Sequence, residues 1–116
     1  MRDNGEKGVQ SLVGKWTGTL PDSSELMMNF TNDMTVEGSM KGSMDFEYVA
    51  KYSVDFSADP VTLDIFDFDN ADFGDIRYLG IIKFTEKNKL MMRGNIDTQG
   101  NRPSNFDNDA FELKRE

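Results

Sequence analysis

The feature that most constrains the fold is a strict alternation of apolar and polar residues, clearest over residues 44–56. The apolar members share one parity, and they are Met44, Phe46, Tyr48, Ala50, Tyr52, Val54 and Phe56. Successive side chains of a β-strand point to opposite faces, so a period of two predicts a strand with one buried face. A helix would need apolar residues three and four positions apart, and this stretch lacks that spacing.

The same alternation recurs in seven other segments, separated by turn-forming residues. These segments span residues 11–20, 26–30, 34–40, 61–65, 76–84, 90–96 and 111–113. No segment shows helical periodicity. Consecutive strands joined by turns favour antiparallel hairpins, and closure of the sheet removes exposed strand edges. We therefore predict an all-β fold, an antiparallel up-and-down barrel of about eight strands.

The chain of 116 residues has the size of one domain. Residues 1–10 are charged and contain glycine, so we expect a disordered lead or tag remnant, followed by one barrel domain over residues 11–116. No apolar run indicates a signal peptide or a membrane span. We therefore expect no membrane insertion and a monomer or weak dimer. Localisation stays open: extracytoplasmic if a signal has been removed, and cytoplasmic otherwise.

The composition excludes several kinds of chemistry. The chain contains no cysteine and no histidine, which removes thiolate nucleophiles, Cys/His zinc sites and Ser-His-Asp catalysis. The formal net charge of -8 repels phosphate backbones, so nucleic acid is not an expected partner. We expect no enzymatic activity, no cofactor and no metal site.

One acidic segment, residues 64–75, raises calcium binding as an alternative, because hard cations prefer clustered carboxylates. Its carboxylates are Asp64, Asp67, Asp69, Asp72 and Asp75. The order of an EF-hand fails, since Ala71 stands where a third ligand belongs and Asp72 where glycine belongs. We interpret the segment as a solvated acidic loop.

The motif Gly14-Lys15-Trp16 in the first predicted strand resembles the start of the calycin superfamily, which comprises lipocalins and fatty-acid-binding proteins. Further stretches strengthen the resemblance: residues 52–55, 63–65, 79–84, 88–90 and 101–106. Together they are similar to a family of small bacterial lipocalin-like domains, abundant in planctomycetes and mostly without an assigned function. That family carries a Gly-x-Trp start and an Arg-Pro-x-x-Phe near the end. The resemblance covers about residues 12–115.

The resemblance implies a barrel end closed around Trp16. In the lipocalin pattern a basic residue near the last strand packs over the first-strand tryptophan, and both Arg102 and Arg115 are candidates here. The expected closure set is therefore Gly14, Trp16, Arg102 and Arg115.

The candidate ligand-binding residues share the inward parity and are adaptable methionines or aromatic residues. They are Met28, Phe30, Met44, Phe46, Tyr48, Tyr52, Tyr78 and Met92. Two functions stay open. In the first, the barrel interior binds a small hydrophobic ligand. In the second, the barrel is filled by its own side chains and acts as a protein-interaction or protease-inhibitor-type module.

Overall fold

The computed structural model describes residues 11–42, 45–69, 74–98, 100–107 and 110–116, and residues 1–10 of the predicted lead lie outside this part. Apart from a 3-10 turn at Ser11, all regular secondary structure in the described ranges is β. The strands are β1 (Gly14–Thr19), β2 (Glu25–Phe30), β3 (Thr35–Lys41), β4 (Phe46–Asp55), β5 (Val61–Phe66), β6 (Tyr78–Glu86), β7 (Lys89–Ile96) and β8 (Phe111–Arg115).

The strands form a closed barrel in which each pairs antiparallel with the next and β8 returns to β1. The prediction of an eight-stranded antiparallel up-and-down barrel is confirmed, and the architecture is that of a lipocalin-like barrel. The closing seam is the shortest ladder, because β8 pairs with β1 only through Trp16–Arg115 and Thr17–Lys114. None of the described residues forms a helix with the length and apolar character that a bilayer crossing requires.

The inward parity of every strand contributes to one buried cluster. Its largest members, Trp16, Phe30 and Tyr52, have at most 1% of their surface exposed. Burying a large apolar side chain stabilises a fold by about 1.5–3 kcal/mol, so this cluster is the main source of stability. Val49, which interrupts the apolar–polar pattern of β4, points outward and is 41% exposed.

The structure corrects several strand boundaries. Residues 11–13 precede β1 as a turn, and the Trp16 Nε1–H donates to the Leu12 carbonyl oxygen at 2.8 Å. Met34, the first residue of the predicted segment 34–40, lies in a turn with a φ of 69°, so β3 begins at Thr35. Strand β4 runs from Phe46 to Asp55, shorter than the predicted residues 44–56. Residues 43 and 44 are outside the described part.

Residues 100–107, which we call the strap, cross the outer face of the barrel. An Arg102 Nη1–H donates to the Gly80 carbonyl oxygen at 2.8 Å, and Arg102 Nη2 lies 2.6 Å from Asp64 Oδ1. Farther along, an Arg93 Nη1–H donates to the Asn105 carbonyl oxygen at 2.9 Å. These contacts fasten the strap to β5, β6 and β7.

Candidate functional site

The two ends of the barrel are closed by different chemistry. We call the end where β1 begins and β8 ends the tryptophan end, after Trp16. The opposite end, where β1 ends and β8 begins, is the tyrosine end, after Tyr48 and Tyr78. Because neighbouring strands run antiparallel, the end of one strand and the start of the next lie at the same end of the barrel. This pairing determines which residues meet at each end.

At the tryptophan end, the guanidinium of Arg115 lies 4.6 Å from the centroid of the Trp16 ring. Its Nη1 donates to the carbonyl oxygens of Ser11 and Val13 at 3.0 and 2.9 Å, and its Nε donates to Asn88 Oδ1 at 3.0 Å. A cation over an aromatic face, with its donors satisfied, stabilises the structure it covers. Arg115 therefore closes this end.

Gly14 makes room for that arginine. Its φ is 133°, and a Cβ placed there would lie 2.9 Å from Arg115 Cδ. Glycine is therefore needed at the first position of the Gly-x-Trp motif, because a larger residue would collide with the arginine that covers the tryptophan. The alternative arginine, Arg102, does not take part in this closure: it belongs to the strap, which leaves from the tyrosine end, and it contacts Asp64 on the outer face.

Four of the predicted ligand-binding residues lie in the packed core. The rings of Phe30 and Tyr52 meet edge to face with centroids 4.9 Å apart, and the Tyr52 hydroxyl donates to the Thr31 carbonyl oxygen at 2.6 Å. Met28 and Met92 are 3% and 1% exposed. The middle of the barrel is therefore occupied by the protein's own side chains.

Inward apolar side chains are half-buried at both ends of the barrel. At the tryptophan end they are Val54, Phe56, Val61 and Phe84, with the rings of Phe56 and Phe84 stacked 6.5 Å apart. At the tyrosine end they are Met40, Phe46, Tyr48, Tyr78, Ile96 and Phe111. Phe68, from the β5–β6 connection, joins them with its ring 5.1 Å from that of Tyr48, and the rings of Phe46 and Tyr48 are 6.3 Å apart. These aromatic and methionine side chains pack against one another and keep only part of their surface accessible.

Glycines fix the two tyrosine rings. A Cβ at Gly38 would lie 2.3 Å from Tyr48 Cζ, and a Cβ at Gly94 would lie 2.3 Å from Tyr78 Cζ. Each ring therefore lies directly against the backbone of a strand, in the space that any other residue would fill. The sites for these rings are built into β3 and β7.

Burial raises the pKa of the Tyr48 hydroxyl to about 12. Burial also raises the pKa of Tyr78, and the nearby Tyr48 adds to this rise because two phenolates would repel each other. Both hydroxyls are therefore neutral near pH 7. In that state each can donate one hydrogen bond and accept others.

Carboxylates surround the tyrosine end. The described connections there contribute Asp22, Asp45, Asp67, Asp69, Asp75, Asp97 and Asp107, which we call the acidic rim. The cations of the same connections are Arg77 and Arg102, and both lie against Asp64, at 3.7 and 2.6 Å. The described connections of the tryptophan end contribute only Asp33, Asp59 and Lys87. Negative charge is thus concentrated around the half-buried aromatic side chains of this end.

Three of the four described carboxylates of the acidic segment, those of Asp64, Asp67 and Asp69, have partners within the chain. Asp69 Oδ1 accepts from the Val49 N–H at 2.8 Å, and Asp67 lies 3.5 Å from the Lys51 ammonium. Within the part of the chain that the structure describes, no three acidic side chains are grouped to hold a metal ion. Asp72, one of the calcium candidates, lies outside that part.

The described residues line concavities on the outer surface, of which two have charged side chains in their lining. The larger, of about 590 Å³, lies across β8, β1, β2 and β3, and we call it the outer groove. Its outward-pointing lining combines Thr17, Met27 and Ser39 with charges of both signs: Lys15, Lys41, Lys114, Glu25, Glu112 and Glu116. The smaller, of about 320 Å³, lies beside the tyrosine end, where Phe66 and Phe68 adjoin Asp67, Asp75 and Arg77.

Of the sequence-predicted ligand residues, the structure brings Phe46, Tyr48 and Tyr78 together at the tyrosine end. Met44 lies outside the described residues. Met40, Ile96 and Phe111 share this surface, and the inward parity of each is readable from the sequence. The outer groove was missed because strands from opposite chain ends form it only when the barrel closes.

No family model, no curated protein and no solved structure matches the chain. The geometry of the barrel and of its two ends therefore carries the functional conclusions.

Proposed function

We propose that this chain is a non-enzymatic binding protein that takes a small apolar ligand at the tyrosine end of its barrel. The observation that carries the proposal is the difference between the ends. At the tryptophan end Arg115 covers the ring of Trp16, whereas at the tyrosine end the half-buried aromatic and methionine side chains lie beside two neutral tyrosine hydroxyls. A ligand covering that surface would gain about 25 cal/mol for each Å² of apolar area removed from water.

The surface also has the composition of a binding site. Such sites are mostly apolar, with a few polar groups that orient the ligand. Here the aromatic rings supply the apolar part and the neutral hydroxyls of Tyr48 and Tyr78 supply the polar part. Because Gly38 and Gly94 hold these rings in place, little conformational entropy is lost when a ligand binds.

Kinship with the small bacterial lipocalin-like domains is part of the same proposal. It is supported by the Gly14-Lys15-Trp16 motif and by the position of Arg115 on the Trp16 ring, which follow the pattern that the resemblance implies. A binding role at one barrel end agrees with that kinship. The site would lie at the mouth of the barrel, since Met28 and Met92 already occupy its middle.

Titration with Nile red, a neutral apolar dye, tests the proposal. We expect saturable binding with a blue-shifted emission, and a mass increase of one dye molecule in native mass spectrometry. Phe46→Glu places a charge in the aromatic surface and should weaken binding by about tenfold or more, since it removes one large apolar contact.

Val49→Glu is the matched control, because it adds the same charge to β4 on the outward face, where Val49 is already exposed. Dye binding to this variant should equal that of the parent chain. Thermal melts establish that both variants are folded. Absence of saturable binding in the parent chain, or equal binding by both variants, would contradict the proposal.

The outer groove favours a second function, that of a protein-interaction or protease-inhibitor-type module. Its uncharged floor of Thr17, Met27 and Ser39 is bordered by lysines and glutamates, a pattern suited to a polar protein surface. A panel of serine, cysteine, aspartic and metalloproteases tests the inhibitor form. Stoichiometric inhibition that is lost in Thr17→Arg would support this function, and no inhibition of any class would contradict it.

A further inference from the structure

We infer that the outer groove is the contact face of a homodimer, in which Glu112 of each copy lies against Lys41 of the other. The second copy lies over β8, β1, β2 and β3, the strands that form the groove. The inference rests on the protein-interaction function proposed for the outer groove and names its partner. Ligand binding at the tyrosine end is independent of it.

The charges of the outer groove cancel one another. Its charged lining residues are lysines and glutamates in equal number, and they are Lys15, Lys41, Lys114, Glu25, Glu112 and Glu116. The formal net charge of -8 is therefore carried by the rest of the chain, which includes the acidic rim. Two copies that approach through the rest of their surface repel each other on average, whereas the outer groove adds no net repulsion.

Most of these charged side chains have no ion-pair partner of their own. One pair forms within the groove, because the Lys15 ammonium lies 3.7 Å from a carboxylate oxygen of Glu116. The other four are exposed and make no side-chain hydrogen bond or ion pair within the part of the chain that the structure describes, and they are Glu25, Lys41, Glu112 and Lys114. Charges of both signs are thus available to a partner.

Strand register places opposite charges where a two-fold dimer needs them. Thr17 pairs with Lys114 on β8 and with Met27 on β2, and β3 follows β2, so β8 and β3 form the two edges of the groove. Glu112 lies on the first edge and Lys41 on the second, both toward the tyrosine end. A two-fold axis parallel to the strands, between β1 and β2, exchanges the two edges. Glu112 of one copy then faces Lys41 of the other, and the symmetry repeats this contact.

The floor of the outer groove suits contact between two sheets. Twisted sheets pack face to face with their strands at about 30° or near 90° to each other. At the centre of the floor lie Thr17 and Ser39, whose side chains are short, and Met27, a flexible apolar residue that points outward. In the dimer the Met27 side chains of both copies fill the space between the two floors and are removed from water. This lining is smaller than the roughly 20–30 residues a side of a standard interface, so we expect a weak dimer.

Sedimentation equilibrium of the full chain near pH 7 tests the inference. Between about 10 μM and about 1 mM, we expect the average mass to rise from that of one chain toward that of two. Lys41→Glu and Glu112→Lys each place like charges across both symmetric contacts, so each variant alone should associate about tenfold or more weakly than the parent chain. Lys83→Glu is the matched control, because it makes the same charge change at an exposed position of β6, outside the groove. Its association should equal that of the parent chain.

An equal mixture of Lys41→Glu and Glu112→Lys identifies the contact. In a mixed dimer the two substituted positions face each other with opposite charges, and the two native residues do so as well. The mixture should therefore associate about as strongly as the parent chain, although each variant alone does not. Thermal melts establish that both variants are folded. A mixture that stays monomeric, or equal weakening by Lys41→Glu and Lys83→Glu, would overturn the inference.

The homodimer and the proposed functions fail separately. A parent chain that remains monomeric at about 1 mM overturns the homodimer, while protease inhibition that is lost in Thr17→Arg would still support the outer groove as an interaction site. Self-association without inhibition of any protease supports the inference and identifies a second copy as the partner of the groove.

Discussion

At the scale of single residues, the barrel depends on how Gly14, Trp16 and Arg115 fit together. The ring of Trp16 has no exposed surface, and its Nε1–H is satisfied by Leu12. The Arg115 guanidinium above the ring donates hydrogen bonds to Ser11, which precedes β1, and to Asn88, in the β6–β7 turn. One side chain thus holds the opening turn, β8 and the β6–β7 turn in register.

Replacing the tryptophan should be the most damaging single change. Trp16→Ala removes the largest buried side chain and leaves a cavity under Arg115, so we expect the free energy of unfolding to fall by about 3–5 kcal/mol. Urea denaturation followed by circular dichroism measures this loss. Val49→Ala, at an exposed position, should change stability by less than about 0.5 kcal/mol. Comparable losses in the two variants would refute the assignment.

Substitutions at two glycines distinguish the cost of backbone strain from the cost of a steric clash. Gly14 and Gly74 both have positive φ, 133° and 61°, but a Cβ would meet Arg115 only at Gly14 and finds nothing within 4 Å at Gly74. Gly14→Ala should therefore lose more stability than Gly74→Ala, where strain alone contributes about 1–3 kcal/mol. A double-mutant cycle of Gly14→Ala with Arg115→Ala should show coupling. Additive losses of stability would mean that contact with Arg115 is not what makes Gly14→Ala destabilising.

At the scale of elements, the strap is attached to the barrel wall by a few polar contacts. The ion pair of Arg102 with Asp64 is partly screened by solvent, since the two side chains are 30% and 22% exposed. Arg93 holds the other half of the strap through Asn105. Between these anchors Ile81, on the outer parity of β6, has only 1% of its surface exposed, so this part of the wall is covered.

Loss of the first anchor should loosen the strap without opening the barrel. In Arg102→Ala, the Gly80 carbonyl and Asp64 lose a charged donor, which costs about 1–2 kcal/mol after allowance for solvent screening. Hydrogen exchange measured by mass spectrometry should accelerate in residues 100–107 and remain slow in β1 and β2. Lys83→Ala, an exposed change on β6, should leave the strap protected. Global acceleration would contradict a local role.

At the scale of the whole molecule, all eight strands of the closed barrel unfold together. A change at the tyrosine end therefore alters the stability of the whole fold. The unfolded tyrosines ionise near their ordinary pKa of 10.0, whereas folded Tyr48 ionises near 12. Above pH about 10 the unfolded state loses protons that the folded state keeps, so stability falls as pH rises through this range and is fully present below it.

Alkaline unfolding measures this effect. Between about pH 8 and about pH 11 the parent chain should lose more stability than Tyr48→Phe/Tyr78→Phe, which cannot ionise at these two positions. Tyr52 is present in both proteins, so its own raised pKa cancels in the comparison. Urea unfolding at the two pH values gives the difference, and identical losses in both proteins would contradict the burial of these hydroxyls.

The sequence alone determined the strands, their inward faces and several kinds of chemistry that the protein lacks. The period of two assigned eight strands and the inward face of each, because parity is a local property of an extended backbone. The lack of cysteine and histidine also excluded several chemistries, because composition can be read without knowing the fold. Inward placement of Phe46, Tyr48 and Tyr78 was likewise predictable from their alternation with polar neighbours.

The tertiary structure alone decided what those inward positions do. Alternation could not choose between Arg102 and Arg115, because the choice depends on which barrel end each connection leaves from and on the register of β8 against β1. Nor could alternation separate Tyr52, which is buried in the core, from Tyr48, which is half-buried at the tyrosine end. Those differences arise from closure and packing between residues distant in sequence, and both are settled only when all eight strands pair.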